Sequence, residues 1–463
     1  MGKPETMEAY LAAAGEQLRW RRARPLVLRE LGRHLEDQRD AFVQEGHSPE
    51  EAERLAVEEM GDPEIVGAEL DALHRPRPQW GPLTMIVLLA LLGGFLRVWL
   101  TAAGAPYYDD IDPVRTALAV LLGTGGLIGM YFLDCAVLVR RAGAVYLLAL
   151  AAGIFSLIHS PNISNVSYYT RYVVLCYPVV YVLWVCRCRG GGAGRLLLAL
   201  AGGVPLAVVC ILAPSVTGLL LLLLTGFIVL LMAIRMGWFH VSRGKATVLI
   251  CGLAAVMAGG TLSVITSVGR FMFFLHPETD PSGRGYQALA IRQAVAAARW
   301  VGEGSGEALE PFTPYERMVP GWSRDLLLTT VLYKLGWLAC LVLVAALAGL
   351  LVWLLVRCRR QRSQWGRLLA LAVLIPFGLQ LFGSVVLNLG FVLTSVHVPL
   401  LVGNLHTVMD LTFLCLTLSV LRGDAAGRME DAAVTEKPLR IPLFVRYIPI
   451  FSCGGTLTPQ GAL

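Results

Sequence analysis

Residues 326–356 read LLLTTVLYKLGWLACLVLVAALAGLLVWLLV, and Arg357-Cys358-Arg359-Arg360 follows at once. Lys334 is the single charged residue in the run. A helix needs about 20 apolar residues to cross the hydrocarbon core of a bilayer. The stretch therefore predicts a membrane span with a basic anchor at its end. Nine further runs of this kind lie at about 83–104, 114–138, 142–158, 170–185, 195–212, 215–235, 246–267, 367–395 and 398–421. Several are long enough to tilt and two are short. Composition agrees: 56% of the 463 residues are hydrophobic and 16% charged, with a mean hydropathy of +0.63. Soluble domains carry about a quarter charged residues. The fold class that follows is all-α: a polytopic membrane protein with ten transmembrane helices over 83–422 and a small soluble helical domain ahead of them.

Charge orients the bundle. Arg140-Arg141, then Arg187, Arg189 and Arg195, then Arg235, Arg243 and Lys245, then Arg357 to Arg367 fall in alternate loops. Loops rich in Lys and Arg face the cytoplasm. Ten crossings then put both termini and the charged tail 423–463 on that side, and the long loop at about 268–325 outside. Anionic lipid accounts for the net charge of +6, so membrane lipids are the expected partner and no nucleic acid is implied. Ten cysteines are too dilute for a disulfide scaffold. Cys186 and Cys188 lack a second pair at metal spacing.

Residues 1–79 form a cytoplasmic helical prefix. Leu26, Leu28, Leu31, Leu35 and Phe42 make an apolar stripe on a helix over about 23–45. Ser48-Pro49-Glu50-Glu51 opens the next helix, with Ser48 as cap, Pro49 in its first position and Glu51 closing a capping box. Gly61 ends it, and Asp62-Pro63 starts another. Gly46 to Ala52 and Met60 to Pro63 resemble the small helical domain found in front of some bacterial permeases and membrane regulators. Such a domain is either a regulatory module or a cap on the bundle.

Arg97, Asp134, Lys334 and Asp410 fall inside expected spans. Charge in hydrocarbon is costly, so each is expected to line a cavity, meet a partner or reach an interface. Asp134 is placed to meet Arg140 or Arg141. Lys334 is deep enough to favour a cavity, with Asp410 as its candidate carboxylate partner. The long loop carries Arg270 and then Pro277-Glu278-Thr279-Asp280-Pro281-Ser282-Gly283-Arg284-Gly285-Tyr286-Gln287. Asp280 before Pro281 is a natural turn, and it is equally a carboxylate poised as a base or a metal ligand.

This loop resembles the outer-loop signature of the SEDS proteins, the shape, elongation, division and sporulation family that includes FtsW, RodA and SpoVE. Gly302 and Gly304, Asp325-Leu326-Leu327, Leu335-Gly336, Asn388 with Gly390, and Pro399-Leu400 follow in the family's order. The resemblance covers about 83–422 and implies an enzyme that polymerises lipid II into the glycan strands of peptidoglycan. It implies Asp280 as the catalytic residue, acting as base or through a divalent cation, Mg2+ or Mn2+. It implies that Arg270 contacts pyrophosphate, as a planar guanidinium suits, and that Tyr286, Gln287 and Lys334 line the substrate site. Arg97, Asp134, Asn388 and Asp410 remain structural or pore-lining residues. The implied location is a bacterial cell membrane. The implied partner is a single-span transpeptidase or another protein of the division or elongation machinery.

The chain departs from the family at several polar positions. Ala213 and Ser215 stand where the family has Gln and Asp, Tyr333 and Lys334 where it has paired glutamates, and Val402 to Leu405 where it has Ser-Tyr-Gly-Gly. Three readings stay open: a divergent polymerase, a catalytically silent relative that binds a lipid-linked sugar or a division partner, and a lipid flippase or transporter. The topology is testable directly. A cysteine introduced at Ser305 is expected to react with a membrane-impermeant maleimide in intact cells, over the background of native cysteines. Labelling only after lysis would reverse the assignment.

Overall fold

The computed structural model describes residues 6–20, 24–74, 79–103, 112–132, 135–163, 166–267, 270–305, 325–361, 363–392, 395–402 and 405–422. Four helices come first: α1 (Met7–Gln17), α2 (Arg24–Gln44), α3 (Pro49–Met60) and α4 (Pro63–His74). Ser48 Oγ accepts the Glu51 N–H at 3.3 Å, and Gly61 closes α3 at φ 85°. Asp62 Oδ1 accepts the Glu64 N–H at 2.9 Å. These caps satisfy amides that a helix start leaves bare. Tyr10, Ala14, Val27, Leu31, Leu35, Val57 and Leu70 form a core of their own. In the stripe of α2, Leu31 and Leu35 are buried as expected and Val27 joins them, with Leu26 and Leu28 partly buried beside it. Glu51 meets His47 at 3.6 Å.

The membrane bundle follows. Spans one to seven are Trp80–Ala103, Pro113–Phe132, Ala142–His159, Thr170–Arg187, Ala193–Leu212, Val216–Arg235 and Arg243–Ser267. Spans eight to ten are Trp337–Arg360, Gln364–Asn388 and Leu405–Arg422. Among the described residues, nine of these are long and apolar enough to cross a bilayer. The seventh has the length, with 25 residues. The protein is an all-α polytopic membrane protein, with one two-residue ladder pairing Asn162–Ile163 to Val166–Ser167. Spans four and ten are the most enclosed, 67% buried, while three and eight are 22% buried. The first pair therefore forms the centre, and the second turns Leu147, Leu148, Phe155 and Val342 toward lipid. Span ten packs on spans two and nine, and span nine also meets four, six and eight.

The run that predicts a single eighth span is two helices. Leu327–Leu335 is a short helix, and Gly336, at φ 94°, breaks the chain before Trp337–Arg360 begins. A left-handed backbone there suits glycine. A Cβ would also press on the carbonyl oxygens of Trp300 and Arg299, at 2.7 and 2.8 Å. Those two carbonyls accept the N–H groups of Leu338 and Trp337, so the break is closed by the loop beside it. Asp134 lies outside the described residues.

Asn388 holds the short helix to span nine. Its Oδ1 accepts the Thr329 N–H and the Thr329 hydroxyl, both at 2.8 Å. Its Nδ2 donates to the carbonyls of Asp325 at 2.9 Å and Ser384 at 2.7 Å. The residue is 4% exposed, so losing the side chain strands several buried polar groups. Asn388→Ala is expected to destabilise the bundle by about 3 kcal/mol. Asn388→Asp, which keeps the acceptors and loses both donors, should also destabilise it. Thermal unfolding in detergent checks both variants.

Candidate functional site

The polar residues singled out in the sequence fall into two assemblies, both on the side of the bundle that carries the loop between spans seven and eight. That side is called the loop face below.

The first assembly is built on the turn around Asp280. A 3-10 turn, Pro277–Thr279, leads into it, and the helix Tyr286–Ala297 leads out. The Asp280 carbonyl accepts the Gly283 and Gly285 N–H groups at 3.3 and 3.0 Å. Its Oδ2 accepts the Arg284 N–H at 3.0 Å. A Cβ on Gly285 would fall on the Pro277 carbonyl, and one on Gly283 would fall on the Asp280 carboxylate. Two glycines thus allow the backbone to fold tightly under the carboxylate, which is left half-buried. Neighbouring Glu278 is exposed. Its own backbone N–H and the His276 imidazole 3.2 Å away hold its carboxyl below the usual carboxylate range. Tyr286 and Gln287 are half-buried in the first turn of the helix that follows.

That helix packs through Ala290, Ile291, Ala294 and Ala297 against Leu326, Tyr333 and Leu387. The loop after it crosses the short helix, with Gly304 N–H on the Tyr333 carbonyl at 2.8 Å and Gly302 N–H on the Leu335 carbonyl at 3.1 Å. Asp280, Tyr286, Gln287, Lys334 and Asn388 therefore belong to one packed unit. Arg270 begins the helix Arg270–Leu275 that precedes the turn. Its side chain lies outside the described residues.

The expected Lys334–Asp410 pair does not form. Lys334 Nζ meets Glu303 Oε1 at 2.8 Å. The reason is the Gly336 break: Lys334 ends a separate short helix and turns to the loop lying over it, while Asp410 sits in span ten. Glu303, between Gly302 and Gly304, is a residue that the sequence reading passed over. The two-glycine frame was the available signal, since it marks a close chain crossing.

Arg97 and Asp410 belong to the second assembly, around the segment before span ten. Arg97, buried in span one, donates from an Nη to the Val402 carbonyl. Asp410 Oδ2 accepts the Leu400 N–H at 2.9 Å. Leu400 has φ 66°, a conformation that L residues adopt at a cost. Beside them the His397 and His406 rings pack at a tilt with centroids 3.6 Å apart, and His406 packs at a tilt on Tyr172 at 4.5 Å. Burial, with help from the Arg171 charge, pushes the His397 imidazole down to about 3. Arg171 lies 4.5 and 5.0 Å from the Tyr168 and Tyr172 ring centres.

Among the described residues no group of three or more His, Cys, Asp or Glu side chains comes together as a metal site. The turn offers one well-placed carboxylate, Asp280. Mg2+ sites often rest on one or two carboxylates and complete themselves with water and substrate phosphates, so these residues fit such an ion only with substrate present.

The model of the FtsW, RodA and SpoVE cell cycle protein family matches residues 191–403, a stretch that contains the whole first assembly. The fold agrees. RodA of Thermus thermophilus matches with a TM-score of 0.51 and 16% identity, covering 75% of this chain and 97% of its own. A chain from a peptidoglycan synthase complex, studied for its coordination of polymerization and crosslinking, matches with a TM-score of 0.58 and 18% identity over 75% and 98%. Family model and fold both point to the SEDS family. Within it, the probable peptidoglycan glycosyltransferase FtsW of Idiomarina loihiensis is 31% identical over 120 residues, 25% of this chain and 28% of that protein. The FtsW of Xanthomonas oryzae pv. oryzae is 27% identical over 156 residues, 33% and 31%. The alignments thus span under a third of those relatives. Where the resemblance leads to the expectation of paired acids, this chain pairs Lys334 with Glu303. That pair is testable by a double-mutant cycle in detergent. Because Glu303 is largely exposed, Lys334→Met and Glu303→Gln should couple by only about 0.5–1 kcal/mol. Lys334→Met and Asp410→Asn should be additive.

Proposed function

We propose that this SEDS protein polymerises lipid II into glycan strands at its loop face, with Asp280 as the catalytic base. The observation that carries the reading is the Asp280 turn. A half-buried carboxylate is fixed by the Arg284 N–H on one oxygen, by two glycines under it, and by a helix packed on the bundle behind it. A base so held needs little reorganisation to meet a hydroxyl.

In the proposed reaction the 4-hydroxyl of one saccharide attacks the anomeric carbon of the next. The new C–O bond forms as the bond to the lipid pyrophosphate breaks. The hydroxyl proton passes to Asp280, and the pyrophosphate leaves with its lipid. Arg270, at the start of the helix that precedes the turn, would take part of the negative charge that develops there. A Mg2+ or Mn2+ ion, when bound by Asp280 together with substrate oxygens, would supply further charge neutralisation. Tyr286 and Gln287 would line the acceptor side. The loop face is then the extracytoplasmic face and both termini are cytoplasmic, as the arginine distribution requires. A crosslinking transpeptidase with one span is the partner that the similar synthase complex suggests.

The Lys334–Glu303 pair favours a second reading. An ion pair now occupies a position where the family keeps acids, which suits a relative that binds lipid II without polymerising it. Glycan polymerisation by the purified protein, read by gel separation of strands, distinguishes the two. Activity is expected from the wild type. Asp280→Asn should abolish it while leaving the melting temperature within about 1 °C, because the change is isosteric and half-exposed. Arg284→Ala should be mild, since Arg284 holds Asp280 through its backbone. Lipid II binding without polymer from the wild type would establish the silent reading instead.

A further inference from the structure

Spans four, nine and ten enclose a cavity of about 20 Å3, close to the size of one water molecule. Ala372, Pro376 and Gln380 of span nine line one wall and Asp410 of span ten another; the rest of the lining is apolar, with Leu175 and Phe377 among it. The three span-nine residues recur every four positions and so share one helix face. Pro376 sits inside the helix and has no N–H. The Ala372 carbonyl therefore lacks its usual i+4 donor. Gln380 is 7% exposed, and its Oε1 is buried with no hydrogen-bond partner among the described residues. Asp410 is 8% exposed. Its Oδ2 is taken by the Leu400 N–H, which leaves the other oxygen for the cavity. Among the described residues no cationic side chain lines the space.

We propose that this cavity is a binding site for one dehydrated monovalent cation of sodium size, held by the Asp410 carboxylate, the Gln380 amide oxygen and the Ala372 carbonyl. Three observations converge on a positive charge: among the described residues, a buried carboxylate without a basic partner and an amide oxygen without a donor, and a carbonyl whose helical donor is missing. A single water has two hydrogens to give to three acceptors, while one cation serves all three. The charge count selects a monovalent ion. One carboxylate cancels one positive charge, and a divalent ion would leave a net charge among apolar walls. Mg2+ keeps several waters and Ca2+ takes six to eight oxygens, and neither fits the volume. Broken helices whose freed carbonyls meet a carboxylate suit small monovalent cations in membrane proteins generally. Because the same carboxylate pins Leu400, the ion would fasten the Pro376 turn of span nine to the segment ahead of span ten.

The full-length protein in detergent is unfolded thermally, followed by tryptophan fluorescence, while Na+ is exchanged for choline at constant ionic strength. A saturable rise of the midpoint with Na+, on the order of a few degrees, is expected. Gln380→Met should need roughly tenfold more Na+ for the same rise, and Asp410→Asn should lose the saturable response. Gln380→Met preserves volume and removes no hydrogen bond, so it decides the matter even if Asp410→Asn fails to fold. Coincident Na+ and choline curves for the wild type would overturn the proposal. So would a wild-type response in Gln380→Met, or a midpoint that moves with pH and not with Na+.

Discussion

The Asn388 carboxamide is the interaction on which the loop face depends. In hydrocarbon every backbone polar group must find a partner within the protein. Helices meet that demand until the chain has to leave the helix, as it does at the start of the short helix Leu327–Leu335 and at the end of span nine. There Asn388 accepts two hydrogen bonds from Thr329 and gives two to the carbonyls of Asp325 and Ser384. The short helix is thereby held flat against the end of span nine. It becomes a floor on which Tyr286–Ala297 can pack, and the Asp280 turn is fixed to the start of that helix. The carboxylate's placement is thus traceable, contact by contact, to a side chain on another span.

A second non-helical segment solves the same problem by different means. Between spans nine and ten, the Val402 carbonyl is met by the Arg97 guanidinium and the Leu400 N–H by Asp410. Charged side chains in a membrane are expensive, and here they serve backbone groups that no helix could satisfy. The result joins spans one, nine and ten at the loop face. Asp410 has an oxygen to spare after this duty, and the wall of span nine that carries Pro376 lies opposite. The two assemblies meet on span nine, which carries Asn388 at its end and Gln380 two turns earlier. Strain or loss of packing in span nine would therefore reach both.

Lys334 adds a side-chain contact to the place where the loop crosses the short helix. The Lys334 and Glu303 side chains satisfy one another at the surface of the unit that carries Asp280. The pair lies beside the backbone contacts of Gly302, Gly304 and Gly336 that hold the loop over the short helix.

The ten apolar runs, the basic loops between them and the capped starts at Ser48 and Asp62 were legible in the chain alone. Each is a local matter: length against bilayer thickness, a cap beside its amide. The loop from Arg270 to Gln287 was legible too, because its tight turn needs prolines and glycines at particular places. The break at Gly336 was not, since hydropathy continues through it and only the carbonyls of Arg299 and Trp300, brought from another segment, make it favourable. The partner of Lys334 was hidden for the same reason. Sequence ranks charges by apolar surroundings, and Asp410 looked the nearest in kind, but the direction of a short helix decides what an ammonium can reach. The roles of Arg97 and Asp410 as supports for bare backbone, and the cavity behind Asp410, exist only where spans one, four, nine and ten come together. Period and composition describe one helix at a time, whereas these features are properties of the space between helices.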